Sequence, residues 1–137
     1  ILVCLVGSEM CIRDSSYGIQ YFGDAAASAE IVGSNLQIQG TSLTGAQIGF
    51  VIAEPADGWY NGFVVALNPA SLPQAGAYTS TDGTNYTTLM GGNTTFQVNY
   101  IDPVSGGYIV GTFNGSMQDA LGSSTTVSGG SYAIPIN

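Results

Sequence analysis

The chain has 137 residues, a length that builds one domain with a sizeable core. It carries nine acidic residues, one basic residue and no histidine, for a formal net charge of −8. Lys and Arg supply most of the affinity for nucleic acid phosphates and for anionic lipid surfaces, so this composition excludes both as partners.

The chain opens on a stretch whose origin bears on everything after it. The run Cys4-Leu5-Val6-Gly7-Ser8-Glu9-Met10-Cys11-Ile12-Arg13-Asp14 is similar to the conceptual translation of a transposase adapter used in sequencing libraries. In that adapter the codons ATG TGT ATA AGA GAC AG yield Met10 to Asp14 and open Ser15. A truncated signal peptide is the weaker reading, because apolar Ile1 to Val6 is too short and Glu9, Arg13 and Asp14 are the wrong flank. Residues 1–15 are therefore expected to be adapter-derived and outside the fold, residues 16–137 to form a single domain, and any export signal to lie further upstream. Cys4, Cys11 and Arg13 all belong to the suspect stretch. What remains has Asp24, Glu30, Glu54, Asp57, Asp82, Asp102 and Asp119 against no base and no thiol, a net charge of −7. With no ion pair to draw on, such a domain rests on apolar burial and backbone hydrogen bonds.

Beyond this stretch the periodicity is that of strands. Asp24 to Glu30 has helical propensity over little more than one turn, but Ala25, Ala27 and Ala29 also alternate, so it leads into a strand. Leu36-Gln37-Ile38-Gln39 and Phe96-Gln97-Val98-Asn99-Tyr100 alternate apolar and polar residues, the mark of half-buried strands. Gln47 to Ile52 and Phe63 to Leu67 are denser in apolar residues and read as central strands covered on both sides. Tyr108 to Met117 alternates again, with Gly111 and Gly115 marking a bulge or a close contact. Ser116 to Leu121 reads as a short turn of helix. Between the runs, Gly33-Ser34, Thr44-Gly45, Asp57-Gly58, Asp82-Gly83, Gly91-Gly92 and Gly106-Gly107 supply turns. The expected fold is all-β, an antiparallel β-sandwich or flattened β-barrel of roughly eight to ten short strands. Phe50, Ile52, Phe63, Val65, Phe96, Val98, Ile109 and Phe113 are its expected core. No apolar run approaches the roughly eighteen residues of a transmembrane helix.

Most catalytic machinery is absent from residues 16–137. Serine nucleophiles lean on His or Lys and thiol catalysis needs Cys; zinc and copper sites draw on Cys and His. The paired glycines are not followed by helices, so no phosphate-binding loop is formed. Only carboxylate chemistry is available. Glu30, Glu54 and Asp57 would have to converge in pairs to hydrolyse a glycosidic bond, and Glu54-Pro55-Ala56-Asp57-Gly58 reads first as a solvated loop. Asp82-Gly83-Thr84-Asn85 and Asp102-Pro103-Val104-Ser105-Gly106 could offer oxygens to calcium, but lack the acid density of a calcium loop and read as turns. No catalytic residue, metal site or cofactor is predicted. The most suggestive binding feature is Trp59, Tyr60 and Asn61, between Gly58 and Gly62. Adjacent aromatics with a polar neighbour can stack on a sugar ring or anchor a protein. On a strand, Trp59 and Tyr60 would instead point to opposite faces, one into the core.

Val32-Gly33-Ser34-Asn35-Leu36-Gln37-Ile38-Gln39-Gly40-Thr41 followed by Gln47-Ile48-Gly49-Phe50-Val51-Ile52 resembles an N-terminal hairpin of small uncharacterised lipoproteins of Bacteroidota-type bacteria. Gly76-Ala77-Tyr78, Thr95 to Asp102, Val110-Gly111-Thr112-Phe113 and Gly129-Gly130-Ser131-Tyr132 follow in the same order, so the resemblance spans most of residues 17–137. Its motifs are strand-and-turn patterns. It implies an exported, β-rich domain, extracellular or on the outer-membrane surface and lipid-anchored through a cysteine that neither Cys4 nor Cys11 represents. It implies no activity. The expected function is a non-catalytic binding or structural module with a neutral glycan or an envelope protein as partner. The alternatives are a carboxylate-dependent glycoside hydrolase and a repeat or subunit of a larger adhesin.

An adapter-derived peptide was never selected to pack. A protein beginning at Ser16 is expected to keep its melting temperature within experimental error, and a large loss of stability in thermal melts would overturn that origin.

Overall fold

The computed structural model describes residues 9–14, 18–22, 27–42 and 45–137; for 9–14 and 18–22 the backbone pairing alone is described. Cys4, Ser15, Asp24 to Ala26 and Thr44, which figure in the expectations above, lie outside the described residues. The elements are β1 Glu9–Asp14, β2 Gly18–Phe22, β3 Ser28–Val32, β4 Asn35–Thr41, β5 Gln47–Ala53, β6 Val64–Leu67, β7 Ala75–Thr79, β8 Asn85–Thr87, β9 Thr94–Ile101, β10 Tyr108–Gln118 and β11 Ser124–Pro135. The described residues contain no helix. The protein is all-β, as its periodicity predicts.

Pairing runs β2-β1-β11-β10-β8-β7-β5-β4-β3, with β9 also on β10 and β6 on β9. The sheet folds back on itself into two layers, β3-β4-β5-β7-β8 and β6-β9-β10-β11-β1-β2. Phe50 of β5 shows this. Its ring lies 5.1 Å from Phe96 of β9 and 4.9 Å from Phe113 of β10, although β5 pairs with neither strand. The layers join at two narrow seams. One is the single pair Gln118↔Thr87 between β10 and β8; the other is the parallel bridge Ala29↔Ile136, where the Asn137 N–H donates to the Ala29 carbonyl at 2.9 Å. Seams this short leave a sandwich and do not close a barrel.

Local chemistry accounts for the elements. β4 alternates strictly, with Leu36, Ile38 and Gly40 inward and Gln37, Gln39 and Thr41 outward. The β3–β4 hairpin turns through Gly33 and Ser34, and Gly33 supplies the positive φ of 64° that the tight turn needs. Asp119 closes the β10–β11 hairpin, its carboxylate accepting from the N–H groups of Leu121 at 2.9 Å and Ser123 at 2.8 Å. The helical turn expected over Ser116 to Leu121 is therefore not formed: β10 extends to Gln118, and a capped turn follows. The expectation of a central strand over Phe63 to Leu67 also fails. β6 pairs only with β9 and is an edge strand with Val64 and Ala66 exposed and Val65 partly buried, since an apolar run does not reveal how many neighbours its strand will have. Phe50, Ile52, Phe63, Phe96, Val98, Ile109 and Phe113 are all buried.

β1 falls in the stretch that resembles an adapter translation, and its backbone pairs with β11 on one side and β2 on the other. Truncation at Ser16 measures what that pairing contributes.

The core is organised by aromatics lying over cross-strand glycines. Gly111 of β10 pairs with Tyr132 of β11, and Phe113 pairs with Gly130. With no side chain at Gly111, Tyr132 reaches across β10, stacks on Phe96 at 5.0 Å and donates its hydroxyl to the Gln97 carbonyl of β9 at 2.7 Å. A Cβ at Gly111 would collide with that hydroxyl and that carbonyl, and one at Gly130 with the Phe113 ring. On the facing layer Phe50 pairs with Gly76 in the same way. The two glycines noted in β10 thus have distinct uses. Register shifts between Val110 and Gly111 against β9, and between Phe113 and Gly115 against β11, mark bulges, while Gly111 also accommodates Tyr132.

Phe96→Ala and Phe113→Ala are expected to cost about 3–5 kcal/mol each in denaturant titrations. A loss under about 1 kcal/mol would show that these rings are not core. Burial pushes the Tyr132 phenol far above the ordinary tyrosine range. Its contribution is fully present below about pH 10, where the unfolded phenol is still protonated, and is lost as rising pH ionises the unfolded chain alone. Tyr132→Phe is expected to cost about 1 kcal/mol at neutral pH through the lost hydrogen bond, and to flatten the decline in stability above about pH 10. An alkaline decline identical in the variant would remove Tyr132 as its source.

Candidate functional site

The segment between β5 and β6 carries Trp59, Tyr60 and Asn61, and it is a loop, not a strand. Its start is tied by the Glu54 N–H to the Ser34 carbonyl at 2.8 Å and by the Gly58 N–H to the Pro55 carbonyl at 2.9 Å. Its end is laced to β9. Gly62 N–H donates to the Val98 carbonyl at 2.7 Å, Val98 N–H to the Phe63 carbonyl at 2.8 Å, and Ile101 N–H to the Asn61 side-chain oxygen at 2.9 Å.

This lacing gives each residue a different place. Trp59 is half-buried against the core and meets Phe63 edge-on at 6.0 Å. Tyr60 is 50% exposed, its ring held perpendicular to Phe63 at 5.7 Å. Asn61 ties the loop to the end of β9, so its oxygen is already engaged. The division into one inward and one outward aromatic is the one a strand would have produced, reached here by a loop. The Asn61–Ile101 hydrogen bond also brings in a residue that sequence reasoning did not single out. Tyr100, next to Ile101, is 48% exposed. The register shift between β9 and β10 falls beside it, and Asn99 and Tyr100 both face outward where strict alternation would bury one of them.

The carboxylates do other work or stand apart. Glu30 is on the outer face of β3, whereas Glu54 and Asp57 are in the β5–β6 loop; all three are exposed. Asp82 accepts from the Ser80 hydroxyl and from the Thr84 N–H, closing the β7–β8 turn. Asp102 donates its backbone N–H to the Tyr108 carbonyl at 2.9 Å across the β9–β10 hairpin. Among the described residues no group of three or more His, Cys, Asp and Glu side chains comes together.

The opposite face of the sandwich has concave relief. A depression of about 320 Å³ lies over β3-β4-β5-β7-β8, lined by Ser28, Glu30, Gln37, Gln39, Gly49, Val51, Ala75, Ala77, Thr87 and Leu89. A second, of about 360 Å³, adjoins it over Gly49 and Ala77 and is lined further by Thr41, Gln47 and Thr79. The outward polar positions of β4 were visible as alternation. That Gly49 and Ala77 would be partners was not, because β5 pairs with β7 and skips β6.

No protein-family model, curated protein or solved structure gives a significant match to this chain.

Proposed function

We propose that the domain is a non-catalytic binding module, exported or displayed at the cell surface, that holds a neutral glycan on the aromatic surface around Tyr60. The observation that carries this reading is the placement of Tyr60. Half of it is exposed, its ring is braced edge-on by Phe63, and the exposed Tyr100 immediately precedes Ile101, whose N–H is held by Asn61. A braced ring loses little freedom on binding, and aromatic faces stack on the apolar faces of sugars. Trp59 supports the loop from below. No Lys, Arg or His follows Arg13, so a polyanion would meet only repulsion. The exported setting rests on the resemblance to surface lipoproteins.

Tyr60→Ala is expected to weaken binding to neutral glycans on an array and to leave the thermal melt unchanged. Trp59→Ala is expected to lower stability by about 2 kcal/mol, less than a fully buried aromatic costs. Binding should vary little with salt, since no counterions are released from a neutral chain. Glycan binding unaltered in Tyr60→Ala and Tyr100→Ala, or tight binding of nucleic acid, would overturn the proposal.

A further inference from the structure

We infer that the outer face of the β3-β4-β5-β7-β8 layer is a second binding site, opposite the aromatic one, for a linear uncharged oligosaccharide lying across the strands. The register builds it. Ser28, Gln39, Gly49, Ala77 and Thr87 are successive partners on the five strands, forming one row at right angles to them. The two central members, Gly49 and Ala77, have almost no side chain. The neighbouring rows rise on either side, Gln37 and Val51 on one and Gln47 and Thr79 on the other. The result is a trough over Gly49 and Ala77, closed along the row by Gln39 at one end and Thr87 at the other, three strand spacings or roughly 14 Å apart. That is long enough for about two sugar rings.

Its chemistry selects among ligands. The floor is Gly49 and Ala77, with Val51, Ala75 and Leu89 adding apolar surface beside it, and suits the C–H faces of pyranose rings. The rim is glutamine amides and Ser and Thr hydroxyls, each able to donate and to accept, which is what a polyhydroxylated chain requires. Among the described residues Glu30 is the only charged group on the rim, and a carboxylate can accept hydrogen bonds from sugar hydroxyls. A polyanion finds no base there. An extended peptide gains its affinity by adding to a free sheet edge, but the trough is mid-sheet, with Gly49 already paired to Gln39 and Ala77.

The test uses short oligomers of β-1,4-glucan, β-1,4-xylan, β-1,4-mannan and α-1,4-glucan, with oligogalacturonate as the anionic control and an uncharged extended peptide as the competing occupant. Each is titrated into the full chain by calorimetry. Ala77→Leu fills the trough from an exposed position, and Gln39→Ala removes a rim amide; thermal melts check both folds. At least one neutral oligomer is expected to bind, and each variant to weaken it about tenfold or more, with Tyr60→Ala leaving this binding intact. If binding falls in Tyr60→Ala but not in Ala77→Leu or Gln39→Ala, the trough is not a site and the aromatic surface stands alone. Loss in both trough variants but not in Tyr60→Ala supports the trough as a site separate from the aromatic surface, which the glycan array tests by itself. Absence of binding to every neutral oligomer, or binding of the peptide alone, overturns the trough.

Discussion

Three cross-strand pairs, Phe50 with Gly76, Tyr132 with Gly111 and Phe113 with Gly130, set the geometry on which the two layers depend. In each a ring lies flat on backbone that has no Cβ to hold it off. The two pairs on β10 and β11 run in opposite senses, so Tyr132 and Phe113 cover each other's strand and stack at 6.4 Å. Phe50 then enters from the facing layer against Phe96 and Phe113. At Gly76 a Cβ would stand 3.0 Å from the Phe50 ring and 2.9 Å from the Met117 methyl, so the Phe50 ring would have to shift by a few tenths of an ångström and the Met117 end to swing aside. Glycine weakens a strand in isolation, and here that cost is offset by the ring packed over it.

A domain without basic side chains beyond Arg13 has to satisfy its polar groups locally. It does so with short side chains turned back on the backbone. Thr88 is fully buried and accepts from the Gly76 N–H at 3.0 Å, and Thr94 donates to the Ser116 carbonyl at 3.0 Å. Ser42 accepts from the Ala46 N–H at 3.0 Å within its turn. The carboxylates of Asp82 and Asp119 are spent on turn amides in the same manner. Only the Ser131 hydroxyl is buried without a partner among the described side chains. Acidity is therefore a property of the turns and the solvated surface, and the core is neutral throughout.

The two faces of the sandwich offer surfaces of different kinds. On the β6-β9 side the exposed aromatics sit on a loop and at a bulge, the places where regular alternation is suspended. On the other side the relief arises within regular strands, from the omission of side chains at two paired positions. The loop is laced to β9 through Gly62, Phe63 and Asn61, and Gly49 and Ala77 are paired strand residues, so both surfaces are carried on hydrogen-bonded backbone nearby.

The amino-acid sequence by itself determined the fold class, most of the strands and most of the core, because alternation is a local property and each of Phe50, Phe96, Val98, Ile109 and Phe113 announces its inward face by its neighbours two residues away. Composition also fixed that no base follows Arg13 and that the charged groups beyond it are carboxylates. Tertiary structure alone decided which strands are neighbours. That choice made β6 an edge, turned Trp59 inward and Tyr60 outward on a loop, set Tyr100 beside Asn61, and matched Gly49 with Ala77 across a gap of some thirty residues along the chain. It also made β10 continue through Ser116 to Gln118, because pairing with Thr126, Thr125 and Ser124 of β11 outweighs the weak preference of six residues for a helical turn. Strand partners are selected by how whole apolar faces fit against one another, and no window of sequence contains that information.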